Sequence, residues 1–496
     1  MVVRFVIILL ALSPALFAQV EAAGVTPVDA GLAGRENIYY ALEDLLTPWS
    51  TTVEATAFAR MPDDRVAIST RRGDVFITTG LSRANRVPDY SLFASGLHEI
   101  LGLAYKDGAL YATQQGEVTR LVDEDGDGRA DLFETVSNAW GFGDYHEFTY
   151  GSKFDRDGNL WIAHCLTRSY TSERLFRGWV QRITPDGRTI PTCSGVRSPG
   201  GLGMNAEGDM FYTESQGPWN GSCGLKHLRP GAFLGHPISF KWYEHAPHLG
   251  PAPKVPNGGR DVRQYNEVKN VPELMPTSIV LPYKKMGQSA SAIVLDDSGG
   301  AFGPFENQLF VSDYTLCLVM RLYLEKVNGV YQGACFPFRQ GYATGLIGMG
   351  MTRDGHLVAG GCSRGWPTRG TKPYALQRLR WTSKMPFEID EMRIEKDGFA
   401  LLFTKPVDPK TATDVRSYAM TSYTYRYQKV YGSPEVDHET PRIVKASLDA
   451  DGKTVHITVE GLRVGHVHEL TGNGVRSRDG DPLLHPVAYY TLNARR

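Results

Sequence analysis

Neither sign of charge dominates this sequence: 53 Lys and Arg face 54 Asp and Glu, a net charge of −1. No basic stripe argues for nucleic acid, and no run of like charge argues for a disordered tail. Past the N-terminus there is no apolar run of the ~20 residues that a transmembrane span needs. No C-x-x-C-H occurs, so no c-type haem is attached, and no Cys/His spacing suits zinc. The six cysteines, Cys165, Cys193, Cys223, Cys317, Cys335 and Cys362, are scattered. They read as small buried hydrophobes with one or two bridges, which an oxidising compartment permits but a chain of this size does not require. No Ser-His-Asp, paired-carboxylate or metal-His motif points specifically to a hydrolase or lyase.

The first 23 residues stand apart. Arg4 precedes an apolar run, Phe5–Leu12, too short to span a bilayer, and Pro14 with Ala18, Ala22 and Ala23 follows. This is the pattern of a signal peptide, with export to the periplasm or medium expected.

What the chain has in abundance is one repeated unit. An apolar strand runs into an Asp/Asn-Gly-type turn and returns as a second apolar strand: TAFARMPDDRVAIST (56–70), GLAYKDGALYATQ (102–114), GSKFDRDGNLWIAH (151–164), GLGMNAEGDMFYTES (201–215), AIVLDDSGGAFGPFENQLFVSD (292–313) and GMGMTRDGHLVAGG (348–361). The acidic-Gly step supplies the positive φ of a tight hairpin, and alternation gives each strand one buried face. Spacings of 46 to 56 residues, with one of 91, suit a four-stranded blade repeated about an axis. The expected fold is all-β: a six-bladed β-propeller over 24–382, followed by a smaller β-sandwich. The long interval contains an excursion, 216–290, rich in Pro, Gly, Lys and Tyr, expected to cover one mouth of the propeller.

From about residue 386 the spacing is lost, and alternating strands with D-G turns suit an immunoglobulin-like β-sandwich over 386–496. There Tyr423, Tyr425 and Tyr427 share one face of an expected strand. They could stack on sugars, although packing is the favoured reading.

Two sets of residues could carry chemistry. DEDGDGRADLFE (123–134) places Asp123, Asp125, Asp127, the Arg129 carbonyl, Asp131 and Glu134 at positions 1, 3, 5, 7, 9 and 12 of an EF-hand-type loop, with Gly128 at the turn. Hard oxygens at that spacing suit Ca2+, here in a stabilising role between strands; the alternative is an ion-free acidic hairpin. The second set comes from three loops beside repeated strands: Tyr145-His146-Glu147, Arg197–Gly201 and Glu214–Pro218. All three are expected at one end of the funnel.

The order of His146, FDRDGNLW (154–161), Arg197 with SPGGLGM (198–204), ESQGP (214–218) and LRPGAFLGHP (228–237) resembles the glucose/sorbosone dehydrogenase family. That family comprises exported six-bladed quinoproteins using pyrroloquinoline quinone (PQQ) and calcium. The resemblance implies that His146 is the base taking a sugar hydroxyl proton, that Arg197 binds a cofactor carboxylate, and that the Gly217 and Pro218 carbonyls hold the catalytic calcium. It further implies a sugar or polyol substrate and an external electron acceptor. GPWNGSCGLKHLRPGAFLGHP, SRGWPTRGTKPYALQRL and SYTYRYQKVYGSPEVD look closer still to secreted bacterial propellers that share only a general likeness to those enzymes.

The chain departs from the dehydrogenase pattern. Ser198 replaces an Asn, LFVSDYTLCLVMR lacks a Lys, and YATGLIGM lacks an Arg, leaving Arg364 or Lys372 as candidate replacements. Two readings follow: a sugar-oxidising quinoprotein, or a non-catalytic glycan- or protein-binding propeller with a degenerate cofactor site.

Overall fold

A computed structural model describes residues 27–496; the proposed signal peptide lies outside them. Six four-stranded antiparallel units follow one another along the chain. Their innermost strands are Ala55–Arg60, Gly102–Lys106, Thr149–Phe154, Pro199–Met204, Ala290–Leu295 and Leu346–Met351. Each contacts the next, and the sixth contacts the first, so the ring closes. This is a six-bladed propeller, numbered here from the blade that begins at Ala55.

Closure joins the two ends of the ring. Tyr40–Asp44, following a helix over Ala30–Tyr39, is the outer strand of blade 6 and pairs with Tyr374–Trp381. The helix is capped by Asp29, whose carboxylate accepts from the Leu32 amide at 3.0 Å.

Glycine sets how tightly the inner strands meet. A Cβ on Gly102 would lie 2.2 Å from the Gly151 carbonyl carbon, one on Gly200 2.0 Å from the Ala290 oxygen, and one on Gly348 2.6 Å from the Thr56 carbonyl. Backbone meets backbone at these points, which only glycine allows. The result is a narrow waist lined by Tyr150, Gly151, Gly200, Gly201 and Gly348. Upper here means the end where the inner strands begin; the D-G hairpins of the repeats are at the lower end.

The excursion after Glu214 supplies the two outer strands of blade 4, Cys223–His227 and Ile279–Leu281. Between them a 3-10 segment, Pro237–His245, docks along blade 3: the Trp179 indole donates to the Ser239 carbonyl at 3.0 Å and the Trp242 indole to Ser172 at 2.7 Å.

The remaining strands form a two-layered β-sandwich. One layer runs Ile389–Glu395, Gly398–Phe403, Thr454–Glu460, Arg442–Leu448. The other, Val487–Leu492, His466–Thr471, Ala419–Thr424, Val436–Glu439, continues blade 5 into one eight-stranded sheet, with Gly333–Cys335 paired to Tyr489–Thr491. Phe399, Leu401, Ile457, Leu470 and Tyr490 fill the space between the layers together with Ala334 and Phe336 of blade 5. Tyr423 and Tyr427 are buried, Tyr427 against Trp219, so the tyrosines pack rather than display a stripe. Their strand ends at Thr424, short of Tyr425 and Tyr427.

All six cysteines are buried and free, correcting the expectation of a bridge. Burial alone accounts for them: Cys193, Cys223 and Cys335 sit in separate apolar clusters or on separate blade strands, where a thiol packs like a small hydrophobe.

Candidate functional site

Three loops meet at the upper mouth, those carrying His146, Arg197 and Gly217. Glu214, ending the second strand of blade 4, is buried and accepts from the Ser198 amide (2.6 Å), the Arg197 amide (3.3 Å) and the Tyr212 hydroxyl (2.7 Å), with the Lys226 ammonium 3.7 Å away. This carboxylate fixes the turn that aims Arg197 at the mouth. His146 feels the Arg197 charge: burial lowers its pKa below the ordinary value, Arg197 adding to the effect and Asp144 opposing it. The imidazole is therefore neutral at pH 7, and its Nδ1 is buried without a partner.

Arg197 turns one end of its guanidinium, Nη1, to the protein itself. Only 4% exposed, it donates to the Gln216 carbonyl at 2.7 Å and the Ser215 carbonyl at 3.4 Å, and Gly217 lies flush against its guanidinium. Tyr170 and Tyr431 flank the cation at 5.7 and 5.2 Å. Tyr431 belongs to a loop of the C-terminal sandwich, residues 428–432, that straps onto 217–221. Gly432 donates to the Gly217 carbonyl at 3.1 Å, and Trp219 to the Gln428 carbonyl at 2.7 Å. The Gly217 carbonyl also takes the Asn220 amide at 3.1 Å.

These contacts decide the fit of a quinone cofactor. The guanidinium expected to grip a carboxylate is committed to carbonyls and ring faces, and the Gly217 oxygen expected to hold calcium already accepts two amides. Arg364 forms a fork with Glu54 (2.6 and 2.7 Å), and Lys372 pairs with Asp44 at 2.6 Å, so neither replacement cation is available. Burying three carboxylates against neutralised cations is costly. The residues present do not fit PQQ.

Several mouth residues escape the sequence reading: Arg71, Glu99, Gln115, Tyr150, Tyr170, Trp366 and Tyr431. Arg71 pairs with Glu99 at 2.8 Å, and Gln115 donates to Glu99 at 3.1 Å and to the Tyr145 carbonyl at 2.6 Å. Beside them a cavity of about 440 Å³ is lined by His98, Glu99, Gln115, Phe142 and Tyr145. Tyr145 is 75% exposed, and Phe142, Tyr170, Tyr431 and Trp366 are also exposed. Gln115 Oε1 and Arg197 Nε, like His146 Nδ1, are buried polar atoms without partners. Aligning the ends of the second repeated strands would have found Arg71 and Gln115, since both sit just past that strand in blades 1 and 2.

The acidic loop lies far from this mouth, in the hairpin between Val118–Val122 and Leu132–Ser137 at the lower end. Carboxylate oxygens of Asp123, Asp125 and Asp131 lie within 4.8 Å of one another. Asp123 accepts from the Gly126 and Gly128 amides (2.7 and 3.0 Å), and Asp127 from the Arg129 amide (2.8 Å). Glu134, the expected twelfth-position ligand, pairs instead with Arg120 at 3.0 Å.

Ring, waist and paired-charge mouth define a six-bladed propeller with a C-terminal β-sandwich strapped to its upper face. The chain belongs to the family described as a domain of unknown function (DUF7133), whose model matches residues 62–336. No curated protein matches it. Among solved structures it is similar to a Thermus thermophilus protein provisionally described as an oxidoreductase (glucose dehydrogenase), at 19% identity over 68% of this chain and 99% of that one, TM-score 0.48. It is also similar to the PQQ-bound aldose sugar dehydrogenase of Streptomyces coelicolor (15%, 69% and 98%, TM-score 0.47). A third is a Trichoderma reesei protein of carbohydrate-active enzyme family AA12 (11%, 72% and 97%, TM-score 0.48).

Proposed function

We propose that the upper mouth binds a neutral sugar or glycan, and that this propeller is a recognition module whose cofactor position is filled by its own strap. The carrying observation is the cavity of about 440 Å³ beside His146, walled by exposed Phe142 and Tyr145 and by Glu99 and Gln115. Aromatic faces suit the apolar face of a sugar ring, and a carboxylate and an amide suit its hydroxyls. Two of the mouth's cations, Arg71 and Arg364, are paired with Glu99 and Glu54, which favours a neutral ligand over an anion. Isothermal titration with a panel of neutral mono- and oligosaccharides is the test. At least one should bind, and Tyr145→Ala or Phe142→Ala should each weaken it by about 10-fold, ~1.4 kcal/mol. If no sugar binds at millimolar concentration, the reading fails.

One observation favours the oxidative alternative: a neutral His146 could accept a hydroxyl proton near pH 7. That reading requires the 428–432 strap to leave Arg197 and Gly217. Sugar-dependent dye reduction with added PQQ and calcium, lost in His146→Ala, would support it; no turnover would reject it.

At the lower end, the proposed role of the acidic loop is a structural calcium site. Three converging carboxylates match the hard-oxygen preference of the ion. The Arg120–Glu134 pair is an exposed one of about 0–1 kcal/mol, so Glu134 could exchange it for the ion. Calcium should raise the melting temperature of the wild type and leave that of Asp125→Ala unmoved. An equal response in both proteins would rule the loop out.

A further inference from the structure

The lower mouth is a second, chemically different chamber. Below the glycine waist opens a cavity of about 220 Å³, smaller than the ~300–1,000 Å³ of drug-sized sites. Its wall is mostly apolar and adaptable: Phe58, Met204, Ile293, Met349 and Met351 come from blades 1, 4, 5 and 6. Three charged side chains also line it, Arg60, Lys153 and Asp297.

Two of these cancel. Arg60 and Asp297 form a two-pronged ion pair, one contact at 3.2 Å. Lys153 is different. It lies on the inner strand of blade 3 just past a β-bulge between Tyr150 and Lys153, a distortion that re-aims side chains. It lines both the waist and the chamber. Among the described residues no carboxylate stands within ion-pair distance of its ammonium, and Asp297 acts on it only at longer range. Burial pulls its pKa below the usual lysine value, with Arg60 adding to the effect, as expected of a cation short of a counter-ion.

A half-buried cation with no carboxylate in reach is free to take an anion, and methionine-rich walls accept varied alkyl shapes. We infer that the lower mouth is a binding site for a small aliphatic carboxylate, its anion held by Lys153 and its chain by the Met204, Met349 and Met351 wall. The Arg60–Asp297 pair would then limit the site to one negative charge.

Isothermal titration at fixed ionic strength, with hexanoate, acetate and hexanol as probes, tests this. The wild type should bind hexanoate at least about 10-fold tighter than hexanol or acetate, a preference of ~1.4 kcal/mol. Lys153→Met should erase the preference over hexanol, Lys153→Arg should retain it, and Asp297→Asn, which releases Arg60, should tighten hexanoate several-fold. Met204→Trp, filling the chamber with Lys153 intact, should abolish binding and serves as the test should Lys153→Met fail to fold. Equal affinity for hexanoate and hexanol, unaltered preference in Lys153→Met, or no hexanoate binding to the wild type would each overturn the assignment.

Discussion

Replacing His485 by leucine is expected to destabilise the protein by about 3–5 kcal/mol, the range for breaking a buried charge network. His485 is buried between two carboxylates, Nδ1 at 2.6 Å from Glu388 and Nε2 at 3.0 Å from Glu36, and Glu36 in turn pairs with Arg339 at 3.0 Å. These residues come from the sandwich, the N-terminal helix and the outer strand of blade 5, so one imidazolium ties three parts of the chain together. Burial alone would lower the His485 pKa, but Glu388 and Glu36 outweigh it and hold the group at about 9.

The sign of the pH effect follows. A folded pKa above the unfolded ~6.5 means that the stabilisation, ~3 kcal/mol, is complete below pH ~6.5 and is lost as pH rises through about 9. Urea unfolding of wild type and His485→Leu should differ most near pH 6 and converge above pH 9. The variant should also be cut faster by protease between propeller and sandwich. A difference that stays constant across that range would show that His485 does not carry the charge.

The second large effect is expected at the waist. Gly200→Ala would set a methyl 2.0 Å from the Ala290 carbonyl oxygen and 2.8 Å from the Ser291 Cα. Both obstacles are backbone in the next blade, so relief requires blades 4 and 5 to separate. Over-packing of this kind costs about 3 kcal/mol or more. Gly34→Ala is the matched control, because it lies in the first helix with nothing within 4 Å and should be neutral or mildly stabilising. Thermal melts of the two variants should differ sharply; similar melts would mean that the inner strands can part without cost.

The six inner hairpins are legible in the sequence because their information is local. Alternation and an acidic-Gly turn within some fifteen residues fix each one, and the glycines opening GLAY, GSKF and GMGM are those the waist demands. Tyr40–Asp44 reads only as a lead-in, since its partner Tyr374–Trp381 lies at the far end of the ring and a five-residue edge strand carries no repeat signal. His146, Arg197 and Gly217 lie together at one mouth, and their places beside repeated strands make that neighbourhood readable. What engages them is hidden, because the strap that takes up Gly217 and flanks Arg197 arrives from beyond residue 427, with nothing in its own sequence to announce a partner two hundred residues earlier.

The union of blade 5 with the sandwich changes what that second unit is for. The paired strands Leu318–Val327 and Val330–Gln340 are the longest in the ring, and a bare outer edge of that length would offer an open row of amides and carbonyls to any passing chain. Val487–Leu492, a strand of the sandwich, occupies part of that row. Without that strand the propeller would keep one adhesive flank; with it the flank is closed from within, and the molecule loses a ready template for self-association.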